Sequence, residues 1–410
     1  MKFGGTSVAD LERISRVARL VAAEAAHRPV AVVVSAMAGK TNELVAWTDG
    51  AGAASRGLTS SDDEYDTVVA SGEQVTAGLL AMVLRNMGVP ARSWMGWQIP
   101  IYTDDAHGRA RIDEIPSTNL GKALDAGEVA VIAGFQGVTR DGRLSTLGRG
   151  GSDTTAVAIA AAIAAARCDI YTDVDGVYTT DPRIESKARR LARISYEEML
   201  EMASLGAKVL HTRSVEMAMA HKVRLRVLSS FSEPGETSGR GTMVCDEEDI
   251  VEKRIVSGVA FSRDEAKISL YGLPDHPGVS REIFGRLADA NVNVDMIVQS
   301  HALREGAANM EFTVGKRDAA RAVELVRSAQ REIGFEDVRV DEDVAKVSVI
   351  GVGMRSHAGV AKTMFGALAD KGVNIQVIST SEIKISVLID AAYTELAVRA
   401  LHAAYGLDQL

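Results

Sequence analysis

Two short segments of the sequence combine glycines, a cation and hydroxyl side chains, which together can hold anionic groups. Residues 2–7 read Lys-Phe-Gly-Gly-Thr-Ser, and residues 147–155 add Arg149 and the carboxylate of Asp153 to a similar pattern. Glycines let backbone N–H groups approach an anion closely, and the start of a helix favours negative charge. Lys2 can neutralise phosphate oxygens, and Arg149 can bind a carboxylate through two hydrogen bonds. Residues 2–7 alone are equally consistent with a strand-to-helix turn, but two such loops favour two anions bound near each other.

A third polar segment, residues 171–183, follows a predicted strand and contains the carboxylates of Asp173, Asp175 and Asp181. The spacing of these carboxylates does not match a calcium-binding loop, and the Asp-Gly and Asp-Pro pairs also mark turns. We interpret the segment as carboxylates and a tyrosine, Tyr178, that border a nucleotide.

Three further polar side chains lie near predicted strand ends or helix starts, namely Ser35, Thr41 and Glu73. Taken singly, each such residue is more often a helix cap than a ligand. They become candidates for binding only as part of a larger set.

Two apparent nucleotide motifs fail on closer inspection. The Gly-Lys-Thr sequence that starts at Gly39 lacks the glycine that a P-loop needs five positions earlier, where Val34 stands. The Gly-Val-Gly sequence that starts at Gly351 ends in Ser356 instead of the third glycine of a dinucleotide fingerprint. The sequence therefore predicts neither a P-loop nor a nicotinamide site.

The composition excludes several classes of protein. The chain has 410 residues and 46% apolar content, which predicts two or three domains with sizeable cores. The net charge is -9, with 46 Lys plus Arg against 55 Asp plus Glu, and argues against broad binding to nucleic acid or anionic membranes. The two cysteines, Cys168 and Cys245, exclude a disulfide framework and a cysteine-rich zinc site. No apolar run reaches the roughly 20 residues that span a bilayer, so we expect a cytoplasmic protein without a membrane partner.

The candidate loops need a framework, and the first 230 residues alternate short apolar runs with helical patterns. Apolar residues from Leu11 to Val21 share one helical face, with Asp10 as the predicted N-cap. Further elements are predicted as strands over residues 30–34, 129–135 and 169–172 and as helices over residues 68–87 and 156–166. The alternation predicts an α/β domain with a largely parallel sheet, in which ligands bind beyond the carboxyl ends of the strands.

The last third of the sequence contains an internal repeat. Residues 276–300 align with residues 357–381 at a constant offset of 81, and 12 of the 25 positions are identical. Each copy is predicted as a strand, a glycine-containing loop, a helix and a strand. A duplicated α/β module explains ungapped identity of this extent better than a shared packing scheme, and predicts pseudo-symmetric pairing of the two copies.

As a set, these motifs resemble the aspartate kinase family. The resemblance rests on KFGGTS (2–7), SAMAGKTN (35–42), SGE (71–73), GFQG (134–137), GRGGSD (148–153), YTDVDGVY (171–178), DPR (181–183) and GAKVLH (206–211). It implies an α/β fold in which a mostly parallel, amino-acid-kinase-like (carbamate-kinase-like) sheet is sandwiched by helices over residues 1–245. Two ferredoxin-like ACT modules, over residues 255–340 and 341–410, are expected to follow and to exchange strands.

The resemblance also implies an activity, the transfer of the γ-phosphoryl group of Mg-ATP to the side-chain carboxylate of L-aspartate. An aspartate carboxylate is already ionised at neutral pH, so no general base is needed to create the nucleophile. The implied catalytic residues are Lys2 and Asp153. The implied nucleotide-binding residues are Lys2, Phe3, Gly4, Gly5, Thr172, Asp173, Tyr178, Arg183 and Lys208. The implied substrate-binding residues are Ser35, Thr41, Glu73, Arg149, Gly150, Gly151 and Ser152. Mg²⁺ is expected to be held by ATP oxygens and water, without a metal site made of side chains.

The ACT modules imply regulation by an amino acid, either lysine, threonine or both. The implied effector-binding residues are Asp275, Asn293, Val294, Asp295, Gln299, Asn374, Ile375, Thr380 and Ser381. Paired modules also imply a homodimer or a larger assembly, and an internal start near Met243 could yield a separate ACT-only subunit.

Other interpretations remain open at the level of the sequence. The chain could be a related kinase that acts on another substrate, or an amino-acid sensor without catalytic activity. Met1 directly precedes Lys2, so the first strand is expected to be short, and a natural start upstream of Met1 is an open alternative.

Overall fold

The protein is described from a computed structural model, which covers residues 1–52, 63–205, 209–233, 240–250, 254–302 and 306–409. Its contacts divide the chain into two compact units. The N-terminal unit comprises Met1–Val177, Arg190–Ala203 and Lys208–Glu252, and the C-terminal unit comprises Tyr178–Arg189, Ser204–Ala207 and Lys253–Leu410.

The first 250 residues contain twelve described strands and eight described helices. In chain order these are β1 (Lys2–Phe3), α1 (Leu11–Ala25), β2 (Ala31–Val34), α2 (Lys40–Gly52), α3 (Asp63–Val69), α4 (Ser71–Asn86), β3 (Ala91–Trp94), β4 (Tyr102–Thr103), β5 (Ile112–Glu114), α5 (Thr118–Asp125), β6 (Val129–Ala133), β7 (Gln136–Val138), β8 (Leu144–Thr146), α6 (Gly151–Ala162), β9 (Cys168–Thr172), β10 (Arg193–Ser195), α7 (Tyr196–Ser204), α8 (Thr212–Ala220), β11 (Leu225–Ser229) and β12 (Thr242–Cys245).

The main sheet of the N-terminal unit has eight strands in the order β10-β12-β11-β9-β1-β2-β6-β3, and a second sheet has the order β5-β4-β7-β8. Only the β11–β12 pair of the main sheet is antiparallel, which confirms the predicted, mostly parallel α/β fold. The β1 strand lies between β2 and β9 and has two residues, short as predicted. The carboxyl ends of β1, β2, β6 and β9 therefore meet at one edge of the sheet.

The predicted helix after the first loop is confirmed as α1, and Asp10 caps it by accepting a hydrogen bond from the Arg13 N–H group at 2.8 Å. Other predicted boundaries were wrong. The helix over residues 68–87 begins earlier, as α3, and is interrupted at Ala70. The strand over residues 129–135 ends at Ala133 and the helix over residues 156–166 ends at Ala162, because Phe135 and Ala164 turn the chain through positive φ angles of 67° and 48°.

One described helical stretch, Asp63–Asn86, is long and apolar enough to cross a membrane by length and composition. Half of its most apolar window is buried inside the protein, as in the core helix of a globular domain. It also carries the buried carboxylates of Asp66 and Glu73, and Leu80 and Leu84 pack in the same core cluster as Val32 and Val131 of the sheet. These contacts favour the core-helix interpretation.

The C-terminal unit contains one described six-stranded sheet in the order β14-β15-β13-β16-β18-β17. Its elements are β13 (Gly258–Pro274), α9 (Val279–Asp289), β14 (Val294–His301), β15 (Ala307–Val314), α10 (Lys316–Ser328), α11 (Gln330–Ile333), β16 (Asp337–Ile350), α12 (Val360–Ala369), β17 (Val377–Thr380), β18 (Lys384–Asp390) and α13 (Thr394–Ala404). The helix and following strand of each repeat copy appear as α9–β14 and α12–β17.

Two hydrophobic clusters in this unit correspond to the two copies of the repeat. The long strands β13 and β16 contribute to both clusters. Ala266 and Val338 pack with the first copy, whereas Val259 and Val347 pack with the second. Each long strand therefore joins the two cores into one continuous sheet.

Candidate active site

A buried ion pair lies at the centre of the N-terminal unit. Lys2 Nζ is 2.7 Å from Asp153 Oδ1, and both side chains are about one-tenth exposed, at 11% and 9%. Lys2 lies on β1 in the middle of the sheet, and Asp153 lies in the first turn of α6. The two predicted catalytic residues, 151 positions apart in sequence, are thus in contact.

The position of Asp153 depends on how α6 begins. The sequence predicted Ser152 and Asp153 in a loop ahead of a helix, but the helix begins at Gly151 and contains both. Gly150 precedes it with φ 75°, a conformation that favours glycine, and a Cβ at this position would lie 2.3 Å from Cγ of His211. Gly150 is therefore required for the helix start that directs Asp153 towards Lys2.

The loop after β1 lies directly against the loop after β2. A Cβ added to Gly5 would lie 2.9 Å from the carbonyl oxygen of Ala36, and one added to Gly4 would lie 3.2 Å from Lys2 Nζ. Both glycines allow close backbone approach, as the motif predicted. The loop does not open directly into α1, because a short 3-10 helix, Gly5–Val8, intervenes.

Glu73 is a buried carboxylate at the same edge of the sheet. It lies in the first turn of α4, is 3% exposed, and its Oε1 accepts a hydrogen bond of 3.0 Å from the Ala36 N–H group. Its Oε2 has no hydrogen-bond partner among the described residues. Burial raises the pKa of Glu73 to about 7, although the backbone N–H groups of Ala36 and Glu73 oppose this shift. An unpartnered buried carboxylate oxygen is costly unless a ligand satisfies it.

Two of the remaining substrate-binding candidates lie at the same edge of the sheet as these groups. Ser152 lies in the first turn of α6, and its Oγ would be 2.8 Å from a Cβ added to Gly134, the residue that follows β6. Ser35 follows β2, and its N–H group donates to the carbonyl of Phe3 at 3.1 Å. Thr41 lies in the first turn of α2. These contacts place Ser35 and Ser152 at the same edge as Lys2.

Arg149 precedes α6 in an exposed loop. Its guanidinium makes no ion pair within the described part of the chain, in contrast to the paired Lys2. An exposed, unpaired guanidinium next to the site is suited to bind a carboxylate from solution.

The predicted nucleotide-binding residues divide between the two units. Thr172 ends β9, and its hydroxyl donates to Asp173 Oδ1 at 3.1 Å. Tyr178 and Arg183 instead belong to the C-terminal unit. The Arg183 guanidinium donates to Asp181 at 2.7 Å and lowers the pKa of that carboxyl. Lys208 lies outside the described residues.

The segment Tyr178–Arg189 is tied to the C-terminal helix of its own unit. Thr179 Oγ1 is 2.9 Å from His402 Nε2 on α13, and the Thr179 carbonyl accepts from the Val259 N–H group at 2.7 Å. Arg399 on the same helix donates to the Ile184 carbonyl at 3.2 Å. The segment Tyr178–Arg189, which is expected to border the nucleotide, is therefore hydrogen-bonded to elements of the C-terminal unit.

A cavity of about 220 Å³ in the C-terminal unit is lined by three of the predicted effector residues, Asn293, Val294 and Asp295. Lys346 forms one wall of the cavity, and its Nζ contacts Asp295 Oδ2 and lies 2.8 Å from Glu265 Oε1. Burial alone lowers the pKa of Lys346, but the Glu265 and Asp295 carboxylates outweigh this effect and raise it overall. The cavity thus contains two buried charges, Lys346 and Glu265, together with the half-exposed carboxylate of Asp295.

The other effector candidates lie elsewhere in the C-terminal unit. Asp275 Oδ2 is 3.4 Å from His301 Nδ1, at the far end of β14. Because a strand rises about 3.3 Å per residue, Asp275 is about 20 Å from Asp295. Gln299 lies on β14, Asn374 and Ile375 precede β17, and Thr380 and Ser381 lie at its end. One small ligand within a single chain cannot contact the whole set.

Sequence reasoning missed Glu265 and Lys346, the two buried charges of this cavity. A signal was present for the second residue, because Lys346 interrupts the otherwise largely apolar end of β16. Among the described residues, no group of three or more His, Cys, Asp or Glu side chains could hold a metal ion.

The sequence matches two known families. Residues 1–229 match the amino acid kinase family, and residues 268–330 and 347–405 match the ACT domain. With the buried Lys2–Asp153 pair and the parallel sheet, these matches define an ATP-dependent kinase of the amino acid kinase family that carries a tandem ACT region.

Similar proteins narrow the class further. The aspartokinase of Pseudomonas aeruginosa is 53% identical over 99% of this chain and 97% of its own length. That of Thermus thermophilus is 47% identical over 100% and 98%. The structure is similar to E. coli aspartokinase III in complex with aspartate and ADP, with a TM-score of 0.79, 31% identity and 98% coverage of both chains. The T-state of that enzyme, in complex with lysine and aspartate, has a TM-score of 0.77 at the same identity and coverage. The chain belongs to the aspartokinase family, as the sequence motifs predicted.

Proposed function

We propose that the chain transfers the γ-phosphoryl group of Mg-ATP to the side-chain carboxylate of L-aspartate, giving 4-phospho-L-aspartate and ADP. This step opens the route to lysine, threonine and methionine. The observation that carries the proposal is the Lys2–Asp153 ion pair together with the buried Glu73, one oxygen of which has no hydrogen-bond partner in the described part of the chain. Lys2 is a cation that can bind phosphate, Glu73 is a carboxylate that can bind an ammonium group, and both lie at one edge of the sheet.

The chemical difficulty in this reaction is bringing two anions together. Lys2 would contact the transferring phosphoryl group and stabilise the charge that spreads over its oxygens, while Gly4 and Gly5 direct backbone N–H groups at it. Asp153 would hold the Lys2 ammonium group in place and orient the reacting groups. Both residues are nearly buried, so their interactions are stronger than in water.

The α-carboxylate of aspartate would bind to Arg149 and its α-ammonium group to Glu73. Ser35, Thr41 and Ser152 would donate further hydrogen bonds, with the backbone of Gly150 and Gly151 beneath them. Binding both ends of the amino acid leaves the side-chain carboxylate as the free nucleophile, which fixes which carboxylate is phosphorylated.

The nucleotide would be bordered by Thr172, Asp173, Tyr178 and Arg183 and by the backbone of Phe3, whose side chain is buried in the core. Lys208 would contribute charge for its phosphates. Mg²⁺ bound to ATP would neutralise phosphate charge, with water as its remaining ligands. The proposed domains are the kinase domain over residues 1–245 and the two ACT modules over residues 255–340 and 341–410.

A panel of substrates tests the proposed specificity. ADP release is measured with L-aspartate, L-glutamate, N-acetyl-L-glutamate and uridylate, each at the same ATP and Mg²⁺ concentrations. We expect ADP release with L-aspartate and near-background release with the other three. A larger rate with any of them would assign the chain to another branch of the amino acid kinases.

The raised pKa of Glu73 gives a prediction for the pH dependence of aspartate use. With a pKa of about 7, the carboxylate is mostly ionised at pH 8 and mostly protonated at pH 6. Because only the ionised form binds an ammonium group well, kcat/KM for aspartate should fall about tenfold between these pH values. Glu73→Gln should remove this inflection and lower kcat/KM at pH 8. A wild-type profile that stays flat between pH 6 and 8 would contradict the role of Glu73.

The same residue should lower the stability of the free protein. The folded protein retains the Glu73 proton up to about pH 7, whereas the unfolded chain releases it near pH 4.5. Stability is therefore lost as the pH rises from about 4.5 to 7, and the loss persists above pH 7. Glu73→Gln should increase the free energy of unfolding at pH 8 by about 1–3 kcal/mol, measured by urea denaturation without substrate. An equal change at pH 4 would point to packing and not to ionisation.

We propose lysine as the effector, with threonine, alone or together with lysine, as the alternative, bound through the ACT modules. E. coli aspartokinase III in complex with lysine supports this choice, and so does the cavity at Asn293, Val294 and Asp295. Asp275, Gln299, Asn374, Ile375, Thr380 and Ser381 would contribute to effector binding at other points of the modules. Because Asp275 is about 20 Å from Asp295, a complete set would require a second site or a second chain.

Asp295→Ala tests the effector role of the cavity. Removing this carboxylate should raise the lysine concentration for half-inhibition at least about tenfold, because an ammonium group loses a charged partner. The rate without lysine should stay the same. Glu342→Ala removes an exposed carboxylate of β16 outside this cavity and serves as the matched control. Equal lysine sensitivity in both variants would exclude Asp295 from the effector site.

The proposed enzyme acts as a homodimer or larger assembly in the cytoplasm, with no nucleic-acid or membrane partner. An ACT-only subunit that starts near Met243 remains a second possible partner. Light scattering on the purified chain measures the number of subunits in the assembly. A single protein band on a gel, when the native gene is expressed, would exclude the separate subunit.

A further inference from the structure

Another buried carboxylate of the N-terminal unit, that of Asp66, has no role in the reaction described above. Asp66 on α3 is fully buried. Its oxygens accept hydrogen bonds from the backbone N–H groups of Gly108 at 3.0 Å and Thr146 at 2.9 Å, and from the Thr146 hydroxyl at 2.5 Å. His107 Nδ1 lies 2.8 Å from the same carboxylate. Such a network rigidifies its surroundings when all members are satisfied.

The Asp66 network joins two loops of the N-terminal unit, and further contacts connect the same loops. Gly108 belongs to the loop between β4 and β5, and Thr146 ends β8. The Ala110 N–H group also donates to the Thr146 carbonyl at 2.9 Å, and a Cβ on Gly148 would lie 3.0 Å from the Gly108 carbonyl oxygen. The chain just before Arg149 is therefore held from one side by residues 107–110.

Arg213 on α8 also contacts this part of the chain. Its two terminal nitrogens donate to the carbonyl of Leu147 and to the carbonyl of Ala110, both at 2.7 Å. A lysine would not reproduce this geometry, because it has one nitrogen in place of the two terminal nitrogens that the planar guanidinium holds in a fixed fork. Leu147 and Ala110 belong to the same two loops that Asp66 joins.

We propose that Asp66 and Arg213 are positioning residues that hold the Arg149 loop at the distance suited to a four-carbon dicarboxylic amino acid. Thr146 and Leu147, which they contact, lie three and two residues before Arg149. The proposal rests on the proposed function, because it assumes that Arg149 binds the α-carboxylate of the substrate. A guanidinium displaced by about 1 Å can lose up to about 100-fold in productive binding, so the loop must be fixed for Arg149 to be selective.

Steady-state kinetics of Asp66→Asn and Arg213→Lys test the proposal. Each variant should raise KM for L-aspartate by about 10- to 100-fold, with kcat and KM for ATP changed less than about threefold. Discrimination against L-glutamate should fall, because the loop no longer sets the distance to the α-carboxylate. Asp169→Asn is the matched control. Asp169 is buried like Asp66, but it lies on β9 and accepts its hydrogen bonds from arginine side chains.

A double-mutant cycle separates positioning from a general loss of stability. In an Arg149→Ala background, Asp66→Asn should change KM for aspartate less than about twofold, because the group through which it acts is gone. Equal effects in both backgrounds, or kinetics like those of Asp169→Asn, would overturn the proposal. If Asp66→Asn does not fold, the effect of Arg213→Lys on KM for aspartate is compared in the same two backgrounds and tests the proposal instead. A wild-type chain that does not phosphorylate aspartate would contradict the proposed function instead.

Discussion

Replacement of Lys2 by alanine is expected to lower kcat for aspartate-dependent ADP formation by about 1,000-fold or more. Removing one group that stabilises the charge of a transition state lowers the rate by roughly 100- to 1,000-fold in other enzymes. The loss should be at the upper end here, since Lys2 is charged and nearly buried. KM for aspartate should change much less, because the contact proposed for Lys2 is with the transferring group and not with the amino acid.

Lys2→Ala also leaves Asp153 as a buried carboxylate without its cation. The variant should therefore unfold more easily, by about 3–5 kcal/mol, as expected when one partner of a buried ion pair is removed. Lys2→Met with Asp153→Asn removes both charges and should restore much of this stability without restoring turnover. Lys122→Ala, on the exposed face of α5, is the control and should behave as wild type. Turnover by Lys2→Ala within tenfold of wild type would exclude the catalytic role.

Replacement of Arg149 by alanine should raise KM for aspartate by roughly 100- to 1,000-fold, with a much smaller change in kcat. A bidentate contact between a guanidinium and a carboxylate supplies charge and geometry together, so its loss removes several kcal/mol of binding. Stability should not change, because Arg149 is exposed and makes no ion pair within the described residues. The effect is therefore separable from that of Lys2→Ala.

Arg149→Lys should recover only part of the affinity, because an ammonium group provides charge without the planar fork. Arg140→Ala removes another arginine of the same unit, which pairs with Asp113 and Glu114 on the surface, and should leave KM unchanged. A KM of Arg149→Ala within threefold of wild type would show that another group binds the α-carboxylate.

Much of the site was predictable because its residues lie in short continuous segments of the sequence. Gly4 and Gly5 follow Lys2 closely, and Gly150 directly precedes α6, so each loop can be recognised from its local sequence. The contact between Lys2 and Asp153 follows from the resemblance together with a parallel sheet, whose strands end at one edge.

Other features depend on contacts that no local pattern encodes. Asp66 and Thr146 are 80 positions apart, and an aspartate on an amphipathic helix usually faces solvent. The ends of β6 and α6 were misplaced because Phe135 and Ala164 adopt positive φ angles, which neither residue type favours. Tertiary packing determines both the Asp66–Thr146 contact and these backbone angles, and a single sequence does not show that packing.

The most direct test of the central claim is to identify the phosphorylated carboxylate. The chain is incubated with ATP, Mg²⁺, L-aspartate and hydroxylamine, which converts an acyl phosphate into a stable hydroxamate, and the product is identified by mass spectrometry. We predict the β-hydroxamate of aspartate, formed only when ATP and aspartate are both present and absent with Lys2→Ala. The α-hydroxamate, or no hydroxamate from the wild-type chain, would contradict the account.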